Sequence, residues 1–543
     1  MRALAGFIAF ALAATGCRSA SPVGAVRFRT AAPVWRVNDR KPQDNPPSVR
    51  RFRRLLNKFD NAILKRAMNA LELRTLRRAR DINSIEEVPD STWFTNRIGV
   101  RELSVEELRR GPNVHGSPFD HLPWTITGGK IGGKSLGFRF DDARGETFLL
   151  KFDTAEYPEL ETATHIIVHR ILWAVGYHVP EDYLGFVRPS DLVLSPKARE
   201  DGIDEAALAA ALRTVARRDD GTLRVLASLY VPGKPIGPYP REGVRRDDQN
   251  DVIPHELRRS IRGQYSIFAW VDHTDIKDDN TLDAFADGHV IHYLVDFGKA
   301  LGAMATYDQD IASGYEEHYD VAEGVRNLVT FGLRTSPWEG KRQPALRGVG
   351  LYDAAHFDPG SWSPLLFYSP FFETDRFDAF WGAKLVMRFS PHQLAAIVDE
   401  AKLSDPRAAE YLVTTLITRQ RATGRYWFDR VAPLDAFAIE PTAGDPRLCF
   451  TDLTLHYRLR ELATTYAIDT YDRRGASTKL VAHVPAGPRG RTCTTIRLSE
   501  KDPDRYTIVR LRVKRGGKTM PPVVVHVAKL RDGRLEVVGL RRR

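Results

Sequence analysis

Between residues 122 and 152 the hydrophobic positions recur at every second residue. Leu136, Phe138 and Phe140 alternate with Gly137 and Arg139, Asp141 to Gly145 reads as a turn, and Thr147 to Phe152 resumes the alternation, which predicts a hairpin of two strands. The period then changes to that of a helix. Over 158–177, Ile166, Ile167, Ile171, Leu172 and Val175 share one face, with Pro158 in the first turn. A further amphipathic helix ends near Val271, and helical or mixed patterns continue to about residue 440. Upstream, Phe52, Leu55, Leu56, Phe59, Ile63 and Leu64 predict strongly basic helices over 48–80, and Ser104 with Glu107 forms a capping-box signature before a short helix. The last hundred residues read as short strands separated by turn residues, the pattern of a small antiparallel β domain.

Composition leaves this α+β picture standing. The 543 residues are 43% hydrophobic and 27% charged, which excludes a disordered tail, a collagen-like fibre and a multi-span membrane protein. Lys and Arg number 80 against 69 Asp and Glu, a net charge of +11 that favours anionic partners without choosing among them.

The first 17 residues carry Arg2, an apolar run from Ala3 to Ala14, and then small residues before Cys17. The run falls short of the roughly 20 residues a membrane-spanning helix needs and has the layout of a secretory signal. Ala14-Thr15-Gly16-Cys17 resembles the bacterial lipobox, with alanine at the position usually held by leucine. The expectation is a chain exported and anchored to the cell envelope by lipid on Cys17, periplasmic or surface-facing; the alternative is an ordinary cleaved signal. The other two cysteines, Cys449 and Cys493, are then candidates for one disulfide or for two buried thiols. No CxxC pair exists, which argues against a cysteine-based metal site.

Gly128-Gly129-Lys130-Ile131-Gly132-Gly133-Lys134-Ser135 satisfies the P-loop pattern, but a true P-loop opens a helix and this one is followed by strand periodicity. The same residues suit a strand, glycine loop, strand order, with Lys151 on the third strand and Glu159 and Glu161 at the start of the following helix as candidate partners for it. The densest motif is His273-Thr274-Asp275-Ile276-Lys277-Asp278-Asp279-Asn280, followed 16 residues after Asn280 by Asp296-Phe297-Gly298. An Asp can take a proton from a hydroxyl, and an Asn with a second Asp offers the oxygen ligands a hard dication requires. His289 and His292 lie beside this motif without an HExxH, and strand packing accounts for them.

On these residues the chain resembles the protein-kinase-like superfamily, its atypical bacterial members most of all. The resemblance covers roughly 122–302 and implies a two-lobed protein-kinase-like fold with an appended C-terminal antiparallel β domain. The implied division is a signal over 1–17, a tether over 18–48, a basic helical extension over 49–121, an N-lobe over 122–240, a helical C-lobe over 241–440 and the β domain over 441–543. Also by resemblance, Gly128, Gly129, Gly132 and Gly133 fold over the phosphates of ATP, and Lys151, partnered by Glu159 or Glu161, grips two of them. Asp275 is the base, Lys277 meets the γ-phosphate, Asn280 and Asp296 hold Mg²⁺, and residues 221–237 supply late strands and an adenine-binding hinge. Thr274 replaces the arginine usual after the loop histidine, and Ser336-Pro337-Trp338-Glu339 is only a distant echo of Ala-Pro-Glu. The function implied is transfer of phosphate from Mg-ATP to a protein or small-molecule hydroxyl. The alternative is a non-catalytic envelope scaffold that binds a protein or glycan partner. Nucleic acid is not an expected partner, since no base-reading element or aromatic platform accompanies the basic helices.

Overall fold

The computed structural model describes residues 23–24, 26–31, 38–50, 77–130, 136–304, 311–317, 329–330, 335–336 and 338–543; Cys17, Gly132, Gly133 and most of the basic helical stretch lie outside them. The chain divides into two compact units. The larger comprises Trp35–Asn83 and Glu87–Val431, and the smaller comprises Met1–Val34, Ser84–Glu86 and Ala432–Arg543.

In the larger unit, α1 (Val105–Arg110) opens with the expected capping box: Ser104 Oγ accepts the Glu107 N–H at 3.1 Å, and the Glu107 carboxylate accepts the Ser104 N–H at 2.9 Å. Six strands follow as one sheet: β1 (Trp124–Gly129), β2 (Gly137–Asp141), β3 (Thr147–Phe152), β4 (Asp182–Val187), β5 (Leu192–Leu194) and β6 (Leu223–Leu229). Their order is β4-β6-β3-β2-β1-β5, with β5 parallel to β1 and the other pairs antiparallel. Alternate residues of the hairpin, among them Phe140, Phe148 and Leu150, bury against Trp124 to form the core of this sheet.

The helix α2 (Leu160–Val175) starts two residues after Pro158, later than the pattern suggests. Asp153, just past β3, caps it by accepting the Thr162 N–H at 3.0 Å and the Thr162 hydroxyl at 2.6 Å. Every residue of α2 except Trp173 is buried, polar ones included, so the single apolar face read from the sequence understates its position. Its apolar residues join a second core built with α3 (Gln264–Val271), α4 (Arg376–Val386), α5 (Pro391–Asp399) and α6 (Pro406–Phe428). Residues 230–233 lead from β6 into a three-stranded sheet of β7 (Lys234–Gly237), β8 (Thr281–Ala286) and β9 (His289–Leu294).

Residues 38–50, read as tether and extension, are fastened to this unit. The Asp39 carboxylate accepts the Thr92 N–H and hydroxyl at 2.9 Å each, and Arg50 pairs with Asp278 at 3.0 Å. Gln43 and Ser48 are held as well, by Asp248 and Asp247, as a free linker would not be.

The smaller unit is antiparallel throughout. β10 (Leu434–Glu440), β11 (Arg447–Asp452) and β14 (Arg491–Thr495) form one sheet. The other contains β12 (Thr464–Asp472), β13 (Ser477–Pro485), β15 (Thr507–Arg515), β16 (Lys518–Thr519), β17 (Val523–Lys529) and β18 (Leu535–Arg542), ordered β13-β12-β15-β17-β18 with β16 on β15. β10 occupies part of the stretch read as helical, and Leu453–His456 is a helical turn where a longer strand was expected. Cys449 and Cys493 stand opposite each other in the β11–β14 register and form a disulfide, which settles the choice left open above.

Candidate active site

The site forms where β3, the start of α2, the loop after α3 and the turn after β9 meet. Lys151 belongs to β3, paired in register with Gly137 on β2, and is only 3% exposed. Its Nζ donates to Asp296 Oδ1 at 2.8 Å. Asp296 keeps a positive φ of 65° and a side chain that is 40% exposed, so one edge of its carboxylate faces solvent while the other holds the lysine. Phe297 after it is buried, and a Cβ at Gly298 would lie 2.9 Å from Glu161 Cγ, so the glycine lets α2 approach this turn. The Phe297 N–H faces His165 Nδ1 of α2 at 3.4 Å, and His165 Nε2 lies 2.7 Å from Asp182 Oδ2 on β4.

The loop after α3 is held just as closely. Asp272 ends the helix in the left-handed conformation, with φ 53°, and Trp362 Nε1 donates to its carboxylate at 2.9 Å. The Leu301 N–H donates to the Val271 carbonyl at 2.9 Å, and the Val295 N–H to that of Asn280 at 3.0 Å, which ties the Asp-Phe-Gly turn to both ends of the loop. Within the loop Asn280 Nδ2 donates to the Asp275 carbonyl at 2.6 Å and to its Oδ2 at 3.3 Å. That same Oδ2 accepts from Lys277 Nζ at 2.8 Å and lies 3.0 Å from Lys299 Nζ.

Electrostatics follow from this packing. Burial lowers the Lys151 pKa, but Asp296 and Glu161 outweigh it and the net shift is upward. Burial works against Asp296 as well, yet the Lys151 ammonium holds it well below the usual carboxylate range. Asp275 is likewise lowered, by Lys277 and Lys299 acting against its burial. Glu161, 1% exposed, is pushed up to about 7 by burial, against the pull of Lys151 and with the help of the Asp296 charge. Burial and the neighbouring Lys151 lower the pKa of Lys130.

Of the two glutamates expected beside Lys151, only Glu161 is there. Glu159 binds Arg347 at 3.2 Å and accepts the Ser404 N–H at 2.9 Å. Two residues turn a helix by about 200°, so adjacent alternate positions at its start cannot both face one lysine. Lys151 makes its hydrogen bond to Asp296, a pairing the sequence reading did not include. Gly128 and Gly129 end β1, paired with Arg139 and Phe138, and a Cβ on Gly128 would sit 3.1 Å from the Arg139 side chain. Gly128 thus makes room for a neighbour within the sheet; Gly132 and Gly133 fall outside the described residues. His292 binds Asp283 at 2.6 Å and stacks on Trp93, in keeping with strand packing.

Three residues of the site escaped the sequence reading. Lys130 lies over Gly137, where a Cβ would come 2.9 Å from the lysine Cδ, and so reaches the neighbourhood of Lys151 and Asp296. Lys299 directly follows Asp-Phe-Gly, a signal visible in the sequence but not used. His165, on the buried side of α2, braces the turn, and only packing reveals it.

The donor set fits a phosphate–metal ligand. With both N–H bonds of the Asn280 amide turned to Asp275, its Oδ1 remains as acceptor, and with the outward edge of Asp296 it offers hard oxygen atoms suited to Mg²⁺. Lys130, Lys151, Lys277 and Lys299 bring four cations to the same region.

Among solved structures the chain is similar to a Helicobacter pylori proinflammatory kinase, CtkA, at 11% identity over 57% of this chain and 96% of that one, with a TM-score of 0.32. It is also similar to the Golgi casein kinase, at 9% identity, 60% and 72% coverage and a TM-score of 0.29. The same enzyme with Mn/ADP bound gives 10% identity, 54% and 76% coverage and a TM-score of 0.22. No protein-family model and no curated protein sequence matches the chain.

Proposed function

We propose that the larger unit is an atypical, two-lobed kinase-like domain that binds Mg-ATP and transfers its γ-phosphate to a hydroxyl of a protein or small molecule, in a protein exported and lipid-anchored through Cys17. The observation that carries the reading is the Lys151–Asp296 pair, closed at 2.8 Å beside the Asp275–Asn280–Lys277 loop. In it, Lys151 exchanges its carboxylate for phosphate oxygens, and Lys277 and Lys130 hold the outer phosphates. Asp296 and Asn280 Oδ1 would hold a divalent cation, whose charge would offset that of the phosphate oxygens. Asp275 takes the proton of the acceptor hydroxyl, whose oxygen bonds to the γ-phosphorus as the bond to the β-phosphate oxygen breaks and the nucleoside diphosphate leaves.

One observation favours a second reading. Asp275 accepts from Lys277 and Asn280 and lies against Lys299, and a non-catalytic scaffold that binds a protein or glycan partner would keep this lock closed.

The test is the melting temperature of the chain from Arg18, with and without Mg-ATP, for wild type, Lys151→Met and Asp296→Ala. A ligand at 100 times its Kd stabilises the state that binds it by about 2.7 kcal/mol. A magnesium-dependent rise of a few degrees in wild type, lost in both variants, is the expected result. Absence of a shift in folded wild type overturns nucleotide binding. That same absence selects the scaffold, and a shift without any nucleoside diphosphate released in the presence of candidate acceptors overturns phosphate transfer.

A further inference from the structure

The C-terminal stretch of the smaller unit alone carries a charge surplus nearly equal to that of the whole chain. Residues 432–543 contain 22 Lys and Arg against 12 Asp and Glu, a surplus of ten out of eleven. Several of these cations share one side of the larger sheet. Along β15, Val509, Leu511 and Val513 enter the core, so Arg510, Arg512 and Lys514 project from the opposite face. The register places Asp469 of β12 on one side of Arg510 and Val524 of β17 on the other, with Arg541 of β18 beyond Val524. Arg510 and Arg512 both bind Asp469, at 2.7 and 3.0 Å, and Lys514 and the hairpin residue Lys518 are exposed. The Asp469 carboxylate therefore lies against Arg510 and Arg512, with Lys514 and Arg541 on the same face.

The apolar half of the same face is covered from the N-terminus. Val23 is buried with Tyr471, Tyr506, Ile508, Val524 and Val538, the Phe28 N–H donates to Tyr506 Oη at 2.9 Å, and the Phe28 ring meets His526 edge-on at 4.9 Å. Gly24 lies against the Arg543 guanidinium. This segment, read from the sequence as tether, thus belongs to the sheet. Cys17 precedes Val23 by six residues, and six residues span at most about 21 Å when extended.

We propose that this face is a membrane-docking surface, which lays the smaller unit on the anionic headgroups of a phospholipid bilayer. Two features point to lipid over other polyanions: the basic residues share one broad sheet face, and Val23, six residues after Cys17, packs on that same face. The inference shares the exported, lipid-anchored reading, but the basic face acts without the acyl chain. Nearby basic residues each attract an anionic surface, and the attraction fades with salt.

The test uses the unlipidated chain from Arg18, which contains every described residue, and vesicles of phosphatidylcholine alone or with 30% phosphatidylglycerol (our choice of composition), scored by co-sedimentation. Binding is expected only to the anionic vesicles and is expected to weaken as salt rises. At roughly five-fold per cation, the triple variant Arg512→Gln, Lys514→Gln, Arg541→Gln should bind on the order of 100-fold more weakly. A matched triple variant at exposed positions elsewhere in the unit, Arg447→Gln, Arg489→Gln, Arg497→Gln, controls for net charge and should change binding less than five-fold. Equal loss in the two triple variants, equal binding to both vesicles, or retention of the protein by soluble dextran sulfate while anionic vesicles are ignored each overturns the proposal. The mass of the membrane-extracted protein reports separately whether Cys17 is acylated, so failure of the anchor and failure of the face are told apart.

Discussion

Glu161 offers a test of the site that requires no ligand. Its carboxyl is buried at the start of α2 and faces Lys151, Lys130, Asp296 and Asp153, and its pKa stands at about 7 against an ordinary 4.5. The folded state therefore keeps this proton after the unfolded chain has released it. Between those two values the folded state binds more protons, so its stability falls as pH rises. At 1.36 kcal/mol per decade the full span is about 3.4 kcal/mol, of which about 2.5 kcal/mol falls between pH 5 and 8. Glu161→Gln keeps the shape and removes the titration. Urea unfolding at pH 5, 6, 7 and 8, followed by tryptophan fluorescence, reads the transition of the larger unit as the one the variant moves. The difference in stability, wild type minus variant, is expected to decline by about 2.5 kcal/mol over that range. A difference constant to within about 0.5 kcal/mol would refute the reasoning, because it would mean that Glu161 is ionised throughout and is the ordinary salt-bridge partner of Lys151.

Two further predictions concern the base and the disulfide. Asp275→Asn should keep the magnesium-dependent thermal shift and lower phosphate transfer by at least about 100-fold, the usual contribution of a general base, measured as nucleoside diphosphate formed per enzyme. The Cys449–Cys493 bridge closes a separation of 44 residues, so the Cys449→Ala, Cys493→Ala variant should lose about 4 kcal/mol in the unfolding of the smaller unit, and dithiothreitol should have the same effect on wild type.

Much of this protein was legible in its periodicity and spacing. Two-residue alternation located the β2–β3 hairpin and with it Lys151, because a strand's side-chain direction depends on local geometry alone. The capping box at Ser104 and the end of α3 at Val271 are also local, and the spacing of Asp275, Lys277, Asn280 and Asp296 brought them to one region through a short loop and a hairpin. The tertiary structure decided what depends on contacts between distant segments. It chose Asp296, 145 residues away, as the hydrogen-bond partner of Lys151, and sent Glu159 to Arg347 and Ser404. It buried α2 on nearly all sides, brought Lys130 and His165 into the site, and paired Cys449 with Cys493 by strand register. It also turned an apparent tether into part of a sheet face. Residue order dictates which way a side chain points along its own element; which charge it meets there is set by the packing of elements whose separation along the chain carries no period to read.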